Sequence, residues 1–138
     1  MTQRTIRSEV EAKVKAWAAA QSPAIPIAYE NVTFTKPSPT DDNSRFIELY
    51  IIPATTVNQT VNAARKTLTG LIQFNIYTVA GVGTKKSEEL AQALIDLFPV
   101  VPKTGSVSIE QTGSIMNTLY DAQWLVTPVR FRYRQENY

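Results

Sequence analysis

Alternation of apolar and polar side chains over residues 68–79 is the feature that most constrains how this chain can fold. The segment divides into an apolar face and a mostly polar face, namely Ile72, Phe74 and Ile76 against Gln73, Asn75 and Tyr77. A period of two is the period of a β-strand. Residues 46–52 show the same alternation and end at Pro53. The two segments are therefore predicted to form an antiparallel hairpin.

A third alternating segment covers residues 123–134. Its two faces are predicted to carry Leu125, Val129, Phe131 and Tyr133 on one side and Trp124, Val126, Pro128, Arg130, Arg132 and Arg134 on the other. Residues 27–34 and 107–111 are predicted as shorter strands, and residues 113–121 as a loop or irregular strand. The sequence thus supplies enough strands for a sheet.

Two segments have the helical period instead. In residues 5–20, Ile6, Val10, Val14 and Trp17 recur at steps of four, four and three. After a Gly81-Val82-Gly83 turn and a possible N-cap at Thr84, apolar residues recur again until Pro99. We therefore predict an α+β fold, with two α-helices packed on one face of a mixed or antiparallel sheet. At 138 residues, a single domain spanning 1–138 is expected.

Composition argues against common enzyme classes. The chain contains no histidine and no cysteine, so it lacks the side chains that most often perform acid-base or nucleophilic chemistry or bind zinc near neutral pH. The segment GVGTKKS before the second helix lacks the spacing of a Walker loop. Asp41 and Asp42 supply too few ligands for calcium. We expect no enzymatic activity, no cofactor and no metal site.

Charge and hydropathy narrow the partners further. The net charge is only +2, far below the excess typical of a dedicated nucleic-acid binder. No apolar run approaches the roughly 18 residues of a membrane span, and the charged N-terminus is unlike a signal peptide. A protein without a membrane role is expected, whose electrostatic contacts depend on local clusters.

One such cluster is the row Arg130, Arg132 and Arg134, which the period of two spaces about 7 Å apart on one strand face. Three neighbouring guanidinium groups repel one another unless negative charge meets them. Three partners are open: phosphate of DNA, Glu48 on a neighbouring strand, or carboxylates of another subunit. The alternative is a solvated face of an edge strand.

The polar segment 53–66 (PATTVNQTVNAARK) connects the two strands of the predicted hairpin. It lacks a clear period and is interpreted as a long loop or an extended hairpin tip. Loops of this length are uncommon unless they are functional. Its polar and charged residues are a candidate docking loop that orders on contact: Asn58, Gln59, Asn62, Arg65 and Lys66.

Taken together, four segments carry a family resemblance: IRSEVEAKVKAWAAAQSP, FIELYIIPA, GLIQFNIYTVAGVGTKKSEELAQALIDLFP and QWLVTPVRFRYR. In order, length and character they resemble the small tail-terminator-like proteins of long-tailed bacteriophages and prophages, the minor tail protein U-like family. The resemblance extends over almost the entire chain.

The resemblance implies a structural role in the virion. Such a protein forms a homo-oligomeric ring, commonly a hexamer, on the tail tube, terminates tail polymerisation and joins tail to head, with DNA passing through the ring. Expected partners are copies of itself, the tail tube protein and a head-completion or neck protein. It would be assembled in the host cytoplasm and reside at the head-proximal end of the tail. The alternatives are a phage neck or head-completion protein, or a small intracellular binding protein.

Overall fold

A computed structural model describes residues 3–21, 24–37, 44–54, 57–58, 66–81, 83–100, 108–121 and 123–137. Within these residues the chain forms two helices, α1 (Gln3–Ala19) and α2 (Lys85–Leu97). The same residues form eight strands: β1 (Ile27–Ala28), β2 (Arg45–Pro53), β3 (Val57–Asn58), β4 (Lys66–Val79), β5 (Ser108–Ile109), β6 (Ser114–Ile115), β7 (Leu119–Asp121) and β8 (Trp124–Asn137).

The strands form one sheet whose centre is the pair β4 and β8. Its order is β1-β2-β4-β8-β5, and β6 and β7 also pair with β8 while β3 pairs with β4. The predicted hairpin is confirmed, because β2 and β4 pair antiparallel from Arg45↔Thr78 to Pro53↔Gly70. Since β1 is parallel to β2, the sheet is mixed. The predicted α+β fold is confirmed.

The connection between β2 and β4 continues the hairpin beyond Pro53. Asn58 of β3 pairs with Lys66 of β4, and Lys66 pairs on its other side with Asn137 of β8. Of the two interpretations of residues 53–66, the extended hairpin is therefore the one that the described pairs support. We call this three-stranded extension, made of β3 and the paired ends of β4 and β8, the arm.

Other strand bounds differ from the prediction for physical reasons. The strand expected over residues 27–34 is limited to Ile27–Ala28, because the chain turns at Asn31, which has a positive φ of 57°. The outer strand along β8 is interrupted between β6 and β7. Pro128 lies opposite this gap; its carbonyl accepts a 2.8 Å bond from the Met116 amide, but it has no N–H to donate in return.

The larger buried cluster joins both helices to one face of the sheet. It combines Ile47, Leu49 and Ile51 of β2 and Ile72, Phe74 and Ile76 of β4 with Val129, Phe131 and Tyr133 of β8, Ile6, Val10 and Val14 of α1, and Leu90, Ala91 and Leu94 of α2. Burial of these side chains stabilises the fold chiefly through the hydrophobic effect. The alternating positions predicted for this face are the ones that the core uses.

The opposite face of the sheet carries a second, aromatic cluster. It consists of Phe46, Tyr77, Val79, Trp124 and Val126, with Phe34 packed against them. The ring of Phe46 stacks on Tyr77 at a centroid distance of 4.2 Å and meets Trp124 edge-on at 5.0 Å. Both faces of the sheet are therefore partly covered.

Two details of local geometry depend on close packing or backbone angles. A Cβ at Gly70 would lie 2.6 Å from the hydroxyl oxygen of Tyr133 and would also overlap the carbonyl oxygen of Ile52, so only glycine fits there.

Thr84 occupies the N-cap of α2, as predicted, but its side chain makes no capping bond because its backbone has near-helical angles. The hydroxyl of Ser87 instead donates to the carbonyl of Thr84 at 2.9 Å.

Candidate functional site

The predicted charged residues of β2 and β8 lie on the same face of the sheet, the one that carries the aromatic cluster. Strand register aligns Tyr50 with Gln73 and Gln73 with Arg130. Glu48 lies opposite Asn75, which in turn lies opposite Pro128. Glu48 and the arginine row are thus on opposite sides of β4. Within one chain, the described contacts do not pair them.

Arg130 is held by a neutral partner. The side-chain oxygen of Gln73 accepts bonds from Nε of Arg130 at 3.2 Å and from Nη2 at 2.8 Å. The amide nitrogen of Gln73 in turn donates to Asn75 at 3.0 Å. An amide fixes the direction of the guanidinium group and leaves its charge uncompensated.

The other two arginines of the row differ from each other. Arg134 contacts Glu110 at 3.8 Å, and both side chains are partly exposed, so the pair contributes little to stability. Arg132 is exposed. Among the residues that the structure describes, no acidic side chain forms an ion pair with Arg130 or Arg132. Two adjacent positive charges are therefore available for an external partner.

Glu48 lies among tyrosines at the β2 side of this face. The hydroxyl of Tyr77 donates a 2.6 Å hydrogen bond to its carboxylate. Burial raises the pKa of Tyr77 well above its usual value, and the hydrogen bond to Glu48 and the negative charge of Glu48 raise it further. Burial and the charge of Glu48 raise the pKa of Tyr50 as well. No ion pair to Glu48 occurs within the described ranges.

Glu30 closes the free edge of β2, a role that sequence reasoning missed. Its carboxylate accepts a 2.7 Å bond from the Ile51 amide and a 3.2 Å bond from Arg7 of α1. The next outward-facing position of β2 is Pro53, which has no N–H. No local pattern in the sequence signals this arrangement, because Glu30 reaches across the fold to a strand 21 residues away.

A cleft lies at each lateral side of the sheet. The first, of about 380 Å³, is bordered by Glu30, Val32, Lys36, Glu48 and Tyr50, among others. The ammonium group of Lys36 is 5.9 Å from the ring centre of Tyr77. The second cleft, of about 140 Å³, lies against the outer strand and is bordered by Leu71, Ser114, Met116, Arg130 and Arg132, among others.

Exposed apolar side chains concentrate at the same two sides. Eight large apolar residues are exposed in the described part of the chain, and seven of them lie at one side or the other. We define the β2 margin as Val32, Glu48, Tyr50 and Ile52. The outer margin is Ile115, Met116, Leu119 and Tyr120 with the neighbouring Arg130 and Arg132. Leu119 pairs with Val126 on the face of the arginines, whereas Ile115 and Tyr120 pair with Val129 and Leu125 on the opposite face of this edge. Each margin combines exposed apolar side chains with charged ones: Glu48 in the β2 margin, whose cleft Lys36 also borders, and Arg130 and Arg132 in the outer margin.

The candidate docking loop is only partly described. Asn58 and Lys66 pair through their backbones in the arm. Gln59, Asn62 and Arg65 lie outside the described residues. The arm projects past the last pair of β2 with β4, Pro53↔Gly70. It therefore remains a candidate contact region.

The described residues show no arrangement that points to metal chemistry. No group of three or more acidic side chains among them could hold a metal ion. None of the helices described has the length and apolarity needed to cross a membrane.

Comparison with known proteins gives a family. Residues 5–133 match the family described as phage tail terminator protein. This match concerns tail terminators as a whole, so the narrower U-like assignment stays a prediction. A solved structure that is 28% identical in sequence superposes with a TM-score of 0.79, covering 97% of this chain and 95% of the other. Among curated proteins, none matches this sequence.

Proposed function

Because this chain belongs to the phage tail terminator family, we propose that it caps the tail tube as a ring of its own copies, terminates tail polymerisation and joins tail to head. The observation that carries this proposal is the family match over residues 5–133. In this role the protein acts through contacts between its surface and other subunits, and it needs no reactive group.

The two margins support a role in assembly. A monomeric protein rarely exposes clustered apolar side chains without a use for them. Here such clusters occur on both lateral sides of one sheet. A subunit that contacts one neighbour on each side needs two different surfaces, and a closed ring results when the rotation between neighbours is fixed. Six copies are the number that the family resemblance implies.

The arm supports contact with a further partner. Its strands are paired by backbone bonds from Asn58 to Lys66 and from Lys66 to Asn137, so they are held together beyond the last pair of β2 with β4. We assign it to docking on the tail tube protein or on the head-completion protein. The ring would lie at the head-proximal end of the virion tail, and DNA would pass through its centre.

Deletion of the gene in a phage or prophage that carries it tests the proposal. The expected products are tails longer than normal and without heads, together with free heads, as seen by electron microscopy. Supplying the unaltered chain from a plasmid should restore joined virions. Joined tails of normal length made in the absence of the gene would refute the assigned role.

A further inference from the structure

We propose that the outer margin of one copy binds the β2 margin of the next copy, with Arg132 placed against Glu48. This inference rests on the proposed function, because it supplies the contact between neighbouring subunits of the ring. It identifies which surfaces meet and states that successive copies are arranged head-to-tail. The occupant of each margin is a second copy of this chain.

The first argument is the distribution of apolar surface. In the β2 margin, the exposed fractions are 59% for Val32, 38% for Tyr50 and 46% for Ile52. In the outer margin, Leu119 and Tyr120 are 60% and 77% exposed. Aromatic and large aliphatic side chains of this kind form the centre of protein interfaces. A contact between the two margins would cover seven of the eight exposed large apolar side chains of the described chain.

The second argument is charge. Arg130 and Arg132 border the cleft of the outer margin, and they have no acidic partner in the parts of the chain that the structure describes. Glu48 borders the cleft of the β2 margin, with Tyr77 as a hydrogen-bond donor but no paired cation. Lys36 shares that cleft and lies over the ring of Tyr77. The outer margin thus holds two guanidinium groups without an acidic partner in the described chain, and the β2 margin holds a carboxylate, Glu48, that could meet one of them.

The third argument excludes the simpler arrangements. The sheet order separates the two margins by β4 and β8, or three strand spacings of about 4.8 Å each, so they cannot cover each other within one copy. A two-fold contact of the outer margin with itself would bring Arg132 near its own equivalent. A two-fold contact of the β2 margin would do the same with Glu48. Only the head-to-tail arrangement pairs Arg132 with Glu48.

The contact is made by side chains rather than by adding a strand. Strand addition needs free N–H donors along the edge. On β2, the Ile51 amide is bonded to Glu30, and Pro53 has no donor. The outer strand is interrupted between β6 and β7. In the described part of the chain, neither edge presents a continuous ladder of free donors to a neighbour.

Cross-linking with single cysteines tests the inference, since the natural chain contains no cysteine. We would prepare Ile52→Cys for the β2 margin and Leu119→Cys for the outer margin, both at exposed positions. Lys15→Cys, on the exposed face of α1, serves as the control. The variants are treated with a short bis-maleimide, alone and in pairs, both as purified protein and bound to tail tubes.

The expected result is a covalent dimer only when Ile52→Cys and Leu119→Cys are mixed. A double variant carrying both cysteines should give a ladder of multimers up to the size of the ring. Dimers formed by either single variant alone would show a two-fold contact and overturn the inference. Absence of the mixed dimer in both preparations would overturn it as well.

The result can be separated from that of the proposed function. The unaltered protein is tested in parallel for its ability to stop growth of purified tail tubes. Capping without the mixed cross-link would reject the assigned margins and leave the function standing. The mixed cross-link without capping would confirm the contact and reject the function.

Discussion

Tyr77 of β4 and Glu48 of β2 form a diagonal pair across two adjacent strands, in which the tyrosine hydroxyl donates to the carboxylate at 2.6 Å. In the register, Tyr77 lies opposite Phe46 and Glu48 lies opposite Asn75. Diagonal neighbours on one face are within reach of long and aromatic side chains. The bond connects the aromatic cluster to the β2 margin and fixes the direction of the Glu48 carboxylate.

Replacing Tyr77 by phenylalanine should lower the free energy of unfolding by about 1–2 kcal/mol, since it removes a hydrogen bond to a charged acceptor. It should also flatten the dependence of stability on alkaline pH. The pKa of Tyr77 is raised in the folded state, so the unfolded chain releases this proton first, and stability falls as pH rises above about 10. Urea unfolding at several pH values between neutral and alkaline measures both effects.

Tyr120→Phe is the matched control for the loss of a hydroxyl, because Tyr120 is 77% exposed; it should leave the free energy of unfolding unchanged. Burial is the main cause of the raised pKa values of Tyr29 and Tyr50. These two tyrosines should account for the alkaline pH dependence of stability that remains in Tyr77→Phe. An unchanged slope in Tyr77→Phe would contradict the prediction.

Gly70→Ala should destabilise the fold by about 1–3 kcal/mol through overpacking. The added methyl group would meet the Tyr133 hydroxyl and the Ile52 carbonyl oxygen, and the latter belongs to the backbone of the neighbouring strand. Thermal unfolding followed by circular dichroism measures the loss. In a Gly70→Ala, Tyr133→Leu double variant, the loss should be smaller than the sum of the single losses. Strict additivity would show that the ring of Tyr133 does not limit this position.

Arg132→Glu should weaken association between copies by at least about tenfold, or about 1.4 kcal/mol, while leaving the monomer folded. The change places like charges at the proposed contact with Glu48. Light scattering across a concentration series measures the association. Lys15→Glu makes the same change of charge on the exposed face of α1 and should have no effect. If both variants self-associate as strongly as the unaltered chain does, the result would favour a solvated role for Arg132.

Deleting residues 58–62 should spare the fold and abolish joining of tails to heads. The deletion shortens the arm, whose described pairs are Val57↔Thr67 and Asn58↔Lys66, and removes none of the side chains described in the two buried clusters. Circular dichroism checks the fold, and complementation of a gene deletion checks joining. A variant with the same residues replaced by glycine and serine separates length from side-chain identity. Normal joining by the shortened chain would exclude the arm as the docking element.

Periodicity was sufficient to predict the central strands and both helices, since each of them has one face on the larger cluster. The positions Ile72, Phe74 and Ile76 on β4 are buried as the alternation requires. Alternation could not reveal the second cluster on the other face. Phe46 and Trp124 lie 78 residues apart in sequence, and they meet only because β4 lies between their strands in a particular register.

For the candidate site, the sequence predicts which strand face carries the arginines but not what they contact. The arginine row follows from a period of two, and Arg130 and Arg132 are indeed adjacent on one face. Their partners depend on register: Gln73 meets Arg130 through the β4–β8 pairing, and Glu110 reaches Arg134 from beyond β5. Glu30 was assigned to a strand, whereas it acts through a carboxylate that reaches β2. Such contacts join segments whose relative placement no local pattern contains.

The bond from the Ile51 amide to Glu30 also limits unwanted association between copies of the chain. An exposed sheet edge with free donors is a template on which further chains stack, and the product is an open-ended fibre. With that donor occupied and Pro53 following it, this part of β2 offers no two successive free donors on which another chain could add. Under the proposed function, copies protected in this way would stay separate and remain available for assembly.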